Sequence, residues 1–467
     1  MGVMAGTKQQ ETVSPVDGSV YATRQLAGKQ QWLEALVAAE EALHEWKKIP
    51  VPERAAVCSR MVDAFVARKE SIAEEISWMM GRPIRYAAGE VAGFEERARH
   101  MISIAETALA PVEVEPREGF RRYIKRDPKG VVAVIAPWNY PYLTAVNAVV
   151  PALLAGNTVI LKHSAQTPLC AERFYEAFEA AGLPKGVFQY LHLSHEDTTE
   201  LIRSEQVQHV CFTGSVAGGA TVEKAVAGRF ISLGLELGGK DPAYVRADAD
   251  LDAAVETLVD GAFFNSGQSC CGIERIYVDA EVHDAFVAKA VKLTRQYKLG
   301  RPDDPETTLG PLVKPSAAAF AREQVEDALA RGATAHIDSS LFPAHDPSGA
   351  YMAPQILTGV DHSMRVMTEE TFGPVVGIQK TFSDEEAVGL MNDSEFGLTA
   401  SVFTRDIERA VELGEQIETG TFFTNRCDYL DPALAWTGVK HSGAGYALSP
   451  LGFEALTQPK SYHLKLS

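Results

Sequence analysis

The chain has 467 residues, too many for one small domain, and this length predicts two or three domains with sizeable cores. A composition of 46% hydrophobic and 23% charged residues is that of an ordinary globular protein, and no apolar run reaches the ~18 residues that a membrane span needs. The formal net charge of −18 argues against nucleic acid or an anionic membrane as partner, because both reward excess lysine and arginine.

At the N-terminus, MGVMAGTKQQETVSPVDGSV has neither an apolar h-region nor an Arg-rich amphipathic pattern, so no targeting signal is read and a cytoplasmic location is expected. After this turn-rich lead, apolar positions at three- and four-residue steps predict helices over 29–47 and 53–77, with Pro50 and Pro52 breaking the pattern between them. From Gly130 the texture changes. VVAVIAP (131–137) is a continuous β-branched run, as in a strand covered on both faces. PYLTAVNAVVPALLAG reads as a buried helix, NTVILK (157–162) as a second strand, and PLCAERFYEAFEAAG as an amphipathic helix. VFQYLHL, HEDTTELI, VQHVCFTGS, VAGGATVEKAVAG and ISLGLEL continue the alternation to residue 237.

Five strands separated by four helices predict βαβ units and a parallel sheet with helices on both faces. The strands end in APWN, LKHS, HLSH, CFTGS and LELGGK, and ligands of such sheets bind beyond these carboxyl ends. Gly238 and Gly239 mark a hinge. Beyond them PAYV, a helix near 250–264, RIYV and a helix near 281–297 open a second alternating region. TFGPVVGIQKTF, a helix near 384–392, LTASVFT and a helix near 406–417 continue it, and the least structured interior stretch is Asp338 to Gly349. The fold class is α/β, with two parallel-sheet domains.

Six cysteines, at 58, 170, 211, 270, 271 and 427, show no metal-ligand spacing, and in a chain this long they read as reduced thiols. No metal is expected. Cys270 and Cys271, adjacent in FFNSGQSCCGIERIYV, are either small buried core residues or include a nucleophile, which requires an accessible thiolate. Asn139, at a strand end, is a turn former or an amide aimed into a cleft. Glu236, a lone carboxylate in an apolar run, is a strand tip or a buried carboxyl with raised pKa, suited to act as a base. Gly214 and Ser215 lead from a strand into a helix whose N–H groups suit a phosphate, and Lys162 ends the neighbouring strand within reach of a ribose or phosphate.

Together these pieces resemble the aldehyde dehydrogenase superfamily over nearly the whole chain. The likeness is carried by PWNYP (137–141), GNTVILK (156–162), FTGS (212–215), LELGGK (235–240), NSGQSC (265–270), EETFGP (369–374) and VKHSGAG (439–445), in the family's order. The resemblance implies a Rossmann-like dinucleotide-binding domain from 1–107 and 129–238 and a catalytic domain from 239–440. Residues 108–128 and 453–467 would form a small bridging sheet between subunits of a homodimer or homotetramer. It implies that the thiolate of Cys270 attacks an aldehyde, with Asn139 and the Cys270 N–H as oxyanion hole. Hydride leaves to NAD or NADP, and water activated by Glu236 hydrolyses the thioester. Lys162, Ser164, Ala165, Gly214, Ser215, Gly238, Glu370, Phe372 and Trp138 match the cofactor side. Tyr140, Tyr142, Asn147, Ser269, Cys271 and Trp436 are expected around the substrate.

The chain also departs from the family pattern. Ala165 stands where a glutamate often holds the ribose hydroxyls, so NADP is expected to be accepted, with His163, His192 and His195 as neighbouring candidates to help hold its phosphate. AWTG (435–438) replaces PFGG, Asn147 and Ala148 replace a frequent Trp-Lys pair, and Ala447 replaces a glutamate. Glu236 is left as the one obvious base. Two alternatives remain, a coenzyme A-acylating dehydrogenase and a catalytically idle nucleotide-binding scaffold. The first usually lacks the LELGGK glutamate, and the second need not retain Cys270, Asn139 and Glu236 together. A cysteine hydrolase would need a histidine motif that is not visible.

Overall fold

A computed structural model describes residues 8–466. Residues 1–7, the start of the segment read as lacking a targeting signal, and Ser467, the end of the expected bridging tail, lie outside the described residues.

The β-branched run forms strand Val131–Ala136, the hub of a six-stranded sheet. The order across this sheet is Gly443–Ala444, Ser232–Glu236, Val207–Thr213, Val131–Ala136, Thr158–His163 and Phe188–Tyr190. All neighbours are parallel except the short Gly443–Ala444 edge. Alternation sorts the side chains of the central strands. Val132, Val134, Val159 and Leu161 enter one apolar cluster, and Val131, Ala133, Ile160 and Val210 enter the other. Both faces are therefore buried, which is why the run shows no polar alternation. The chain runs from the hub outward to Phe188–Tyr190, then returns to the hub's other side at Val207–Thr213. Strand order thus reverses beside the hub, the place where sheets of this kind bind ligands. Asn139 and Ser215 follow the two strands that flank this switch point.

The second sheet has seven strands. Asp241–Val245 lies between Ile273–Asp279 and Thr399–Phe403, followed outward by Val375–Thr381, Gln355–Thr358 and Thr334–Ala335 on one side and Thr421–Thr424 on the other. A three-stranded antiparallel sheet joins Thr457–Lys465, Phe120–Pro128 and Val112–Glu113, with Lys465 opposite Phe120 and Thr457 opposite Pro128. No helix among the described residues is long and apolar enough to cross a membrane.

Some elements differ from the sequence reading. The helix expected over 53–77 is two helices, Val51–Val66 and Lys69–Met80, and the break lets Met61 and Phe65 and then Ile72 and Ile76 meet one cluster. The lead holds a hairpin, Gln9–Val13 with Val20–Gln25, whose polar strands carry little hydrophobic signal. Helix Pro315–Ala330 was not foreseen either, because its buried positions are mostly alanines. Tyr142 is a correction of another kind. Its ring is fully buried, 4.9 Å from Phe65 and 5.8 Å from Phe174, so it is a core residue and does not line the substrate space. Phe174 touches four rings of this aromatic cluster. Phe174→Ala is expected to lower the unfolding free energy by about 3–5 kcal/mol, read from denaturant midpoints.

Candidate active site

Helix Leu251–Phe263 ends in a tight turn, Phe264–Gly267, that throws the chain back toward the first sheet. Asn265, Ser266 and Gly267 have φ of 53°, 58° and 72°, a run of left-handed backbone that is strained for side-chain-bearing residues. Hydrogen bonds hold it there. Ser266 Oγ donates to Gly310 O at 2.8 Å, and Gln268 Oε1 accepts Val313 N–H at 2.8 Å. Gly267 admits no side chain, since a Cβ would lie 2.1 Å from the carbonyl oxygen of Gly373. The loop places Cys270 partly exposed at a cavity and turns Cys271 inward to 3% exposure.

The same loop is tied to Asn139 by a buried polar hub absent from the sequence reading. Arg82 and Glu90, 2% and 1% exposed, form an ion pair. Arg82 Nη2 donates to Asn139 O at 2.6 Å and its Nε to Asn265 Oδ1 at 3.2 Å, while its guanidinium lies 4.6 Å from the Tyr140 ring centre. Glu90 Oε1 accepts the N–H groups of Tyr142 and Leu143, both at 2.9 Å, and so caps helix Pro141–Leu154. Asn139 Nδ2 donates to Gln268 O at 3.2 Å, two residues before Cys270.

The cavity, about 810 Å³, is lined by Cys270, Cys271, Glu236, Tyr140, Asn147, Trp436, Arg97 and Asp428 among others. Ser269 stands behind this wall, with Oγ 3.3 Å from Asp428 Oδ1, which corrects its expected place in the pocket. Glu236 is pushed up to about 7 by burial, against the opposing hydrogen bond from Thr213 Oγ1 at 3.2 Å. Asp428 is also pushed up to about 7, chiefly by burial. It accepts the Cys271 thiol at 2.8 Å. The Cys271 thiol is held well above its ordinary range, first by a hydrogen bond with the Cys270 side chain and then by burial. Behind Glu236 a recess of about 220 Å³ is lined by Ala148, Ala447, Lys129 and His209, and it shares Thr144, Asn147, Thr213 and Glu236 with the main cavity. The small alanines leave that space open.

On the other side of Cys270, Gly239 and the loop at 369–374 meet. Glu370 lies against Gly238, its Oε1 accepts Gly239 N–H at 3.0 Å, and burial pushes it up to about 7. The loop is pinned by Glu274, which accepts Thr371 N–H at 2.7 Å and Phe372 N–H at 2.8 Å and pairs with buried Lys240 at 2.6 Å. Phe372, held at φ 51°, meets Trp138 edge to face at 5.7 Å. Lys162 is desolvated, which lowers its pKa, and pairs with no carboxylate among the described residues. A cation free of carboxylate partners, an acceptor carboxyl and an edge-to-face aromatic pair are groups suited to a phosphate, a ribose and a flat heterocycle. Gly214 and Ser215 lead into helix Val216–Val226, with Ser215 Oγ capping it through Gly218 N–H at 3.2 Å. Ser164 and Ala165 follow Lys162, and Thr12 Oγ1 donates to Ala165 O at 2.8 Å.

The expected histidine help is not available from two of the three. His163 is buried, with Nε2 3.0 Å from Pro141 O, and burial lowers it to about 4. His192 faces Glu172 at 3.1 Å, which also binds Arg24. The hub residues and Arg97 had no motif to reveal them. Glu90 and Arg97 lie on helix Ile84–Ala108 and Arg82 in the short link before it, all far from the quoted motifs and acting through tertiary contacts.

A parallel α/β sheet whose strand order reverses beside its hub, next to a cavity that holds a thiol and a carboxyl of raised pKa, is an arrangement suited to nucleotide-dependent oxidoreductases. The profile of the aldehyde dehydrogenase family matches residues 3–462. The chain is 34% identical over 449 residues to the succinate-semialdehyde dehydrogenase [NADP(+)] of Deinococcus radiodurans, covering 96% of this chain and 93% of that protein. It is 35% identical over 473 residues to a 2-hydroxymuconic semialdehyde dehydrogenase of Pseudomonas putida, covering 99% and 97%. Among solved structures, a succinic semialdehyde dehydrogenase of Streptococcus pyogenes in complex with NADP+ superposes with a TM-score of 0.93 at 30% identity, covering 98% of this chain and 100% of that one. The chain belongs to the aldehyde dehydrogenase family, as an NAD(P)-dependent oxidoreductase that acts on the aldehyde group.

Breaking the hub leaves a buried charge alone. Glu90→Gln or Arg82→Met is expected to lower the unfolding free energy by about 3–5 kcal/mol, measured by urea denaturation.

Proposed function

We propose that this enzyme oxidises aldehydes to carboxylic acids through a thiohemiacetal and a thioester on Cys270, hydrolysed by water that Glu236 activates. The observation that carries this reading is a partly exposed thiol sharing one cavity with a buried carboxyl raised to about 7. The Cys270 thiolate forms a C–S bond to the carbonyl carbon, and the oxygen becomes an oxyanion. Asn139 Nδ2 keeps one hydrogen beyond its bond to Gln268 O, and with the Cys270 N–H it stabilises that charge. NAD or NADP, when bound, supplies the hydride acceptor. Loss of hydride leaves the acyl group on sulfur. Glu236 takes a proton from water, the water oxygen attacks the thioester carbon, and the C–S bond breaks to return the thiolate. Tyr140, Cys271 and Trp436 border the substrate, and the recess behind Glu236 gives water a route to it.

Residues 1–107 and 129–238 act as the cofactor unit and 239–440 as the catalytic unit. Lys162, Ser164, Ala165, Gly214 and Ser215 serve the adenosine ribose and phosphates, and Gly238, Glu370, Phe372 and Trp138 serve the nicotinamide side. NADP is accepted because Ala165 presents no carboxylate to a 2′-phosphate, and relatives named for NADP support this. Residues 108–128 and 453–467 bridge subunits of a homodimer or homotetramer. The exposed edge strand Thr457–Lys465 supports this role. The enzyme works in the cytoplasm on small-molecule aldehydes.

The test mixes protein, either cofactor and a panel of aldehydes, and follows the absorbance of the reduced cofactor. Turnover without coenzyme A is expected; turnover only with it would favour the acylating reading, and none with any aldehyde would favour an idle scaffold. Cys270→Ser should abolish hydride transfer. Glu236→Gln should keep a single-turnover burst while steady-state turnover falls by about 10²-fold or more, and loss of the burst would count against Glu236 as the deacylating base. Because the carboxyl is raised, its basic form is populated only above about pH 7. Deacylation should therefore slow as pH falls below 7 and level off above it, and Glu236→Gln should flatten that profile. Comparison of kcat/KM for the two cofactors checks the role of Ala165, and a strong preference for NAD would refute it.

A further inference from the structure

Arg97, on helix Ile84–Ala108, lines the substrate cavity beside Cys270 and Glu236. Its Nη1 donates to Leu143 O at 2.8 Å and lies 3.4 Å from Asn147 Oδ1. Its Nε and Nη2 have no partner among the described residues, and it pairs with no carboxylate there. Beside it, the Asn147 side chain is 3% exposed and its Nδ2 is buried without any hydrogen-bond partner. Asn147 stands where the family frequently has tryptophan, so this pair of donors belongs to this chain's own cavity.

Most carboxylates nearby are otherwise engaged, while Glu256 on the cavity lining has no partner among the described residues. Glu90 pairs with Arg82, and Glu96 accepts the Tyr429 hydroxyl at 2.9 Å. Asp428 accepts Cys271 and Ser269, and Glu236 accepts Thr213. Asp260 is raised by burial and by Glu256, which favours its neutral form. Arg426 stacks at 3.6 Å on Tyr429. Arg97 is thus a desolvated cation with open donors and an orphaned amide next to it. Burial disfavours its charge, and an anion placed against it would offset that cost. A planar carboxylate matches two guanidinium N–H groups and can accept from an amide at the same time.

We propose that Arg97 and Asn147 form a carboxylate seat in the substrate cavity, so that the preferred substrates are aldehydes that also carry a carboxylate. This rests on the aldehyde-oxidising reading above and names the substrate class of that site. The semialdehyde dehydrogenases among its relatives act on aldehydes of this kind.

The test compares kcat/KM for 4-oxobutanoate and 5-oxopentanoate with butanal and pentanal, in the native enzyme, Arg97→Met, Arg97→Lys and Asn147→Leu. The native enzyme should favour the carboxylated member of each pair. In Arg97→Met that ratio should fall by about 10²-fold, mainly through KM, as expected for losing charge-assisted hydrogen bonds to an anion. Arg97→Lys should keep part of the ratio, and Asn147→Leu should reduce it by about tenfold. A native ratio near one, or an equal fall for both members of each pair, overturns the seat while leaving aldehyde oxidation intact. Failure of every aldehyde overturns the reading of the activity itself. Titration of succinate into the NADP-loaded protein, followed by calorimetry, then judges the seat without turnover. Binding at least tenfold weaker in Arg97→Met is expected, and equal affinity in native and variant protein refutes it.

Discussion

The buried pair of Arg82 and Glu90 fixes the distances on which the whole site depends. One guanidinium holds the carbonyl of Asn139 and the side chain of Asn265, and its partner caps the helix that begins at Pro141. The first sheet's strand end, the loop that leads to Cys270 and the cavity wall are thereby joined through two side chains. Charges taken out of water persist only when paired and fully hydrogen-bonded. Each bond of the hub is therefore strongly directional, and displacing any one element would leave a buried charge unsatisfied. The left-handed turn at Asn265 and Ser266 is tolerated because this network over-determines it.

Desolvation is the second organising force. Glu236 and Asp428 line the cavity that holds Cys270 and Glu370 lies at Gly239, yet burial raises each to about 7. A carboxyl with its pKa near neutral pH can take a proton from water and release it again. Their surroundings separate the three. Glu236 faces both the cavity and the recess behind it, Asp428 is occupied by Cys271 and Ser269, and Glu370 is anchored to Gly239. The two adjacent cysteines are divided by the same logic. Cys270 opens to the cavity, whereas the Cys271 thiol is locked to Asp428 and held protonated.

The parallel alternation from Gly130 to residue 237 was legible because strands covered on both faces read as unbroken β-branched runs. The strand ends APWN, FTGS and LELGGK stood out for the same reason, since polar and glycine residues interrupt those runs where the chain leaves the core. Elements with weak hydrophobic contrast escaped, as in the polar hairpin near residue 10 and the alanine-rich helix after Pro315. Tyr142 was misjudged because adjacency to Asn139 in sequence says nothing about which way a helix turns its face. Two residues of offset send Tyr140 toward the cavity and Tyr142 into the aromatic core.

The sequence by itself determined the alternating α/β order and the family, and singled out Cys270, Asn139 and Glu236 as candidates, because those depend on patterns that neighbouring residues carry. Only the tertiary structure decided how Arg82 and Glu90 bind the site together, and that Arg97 and Asn147 hold open donors in the cavity. It also showed that His163 turns inward and that Ala148 and Ala447 leave a recess behind Glu236. These facts arise from residues far apart in the chain, and their energies depend on burial and on which partner each group meets. Neither quantity is written in local sequence.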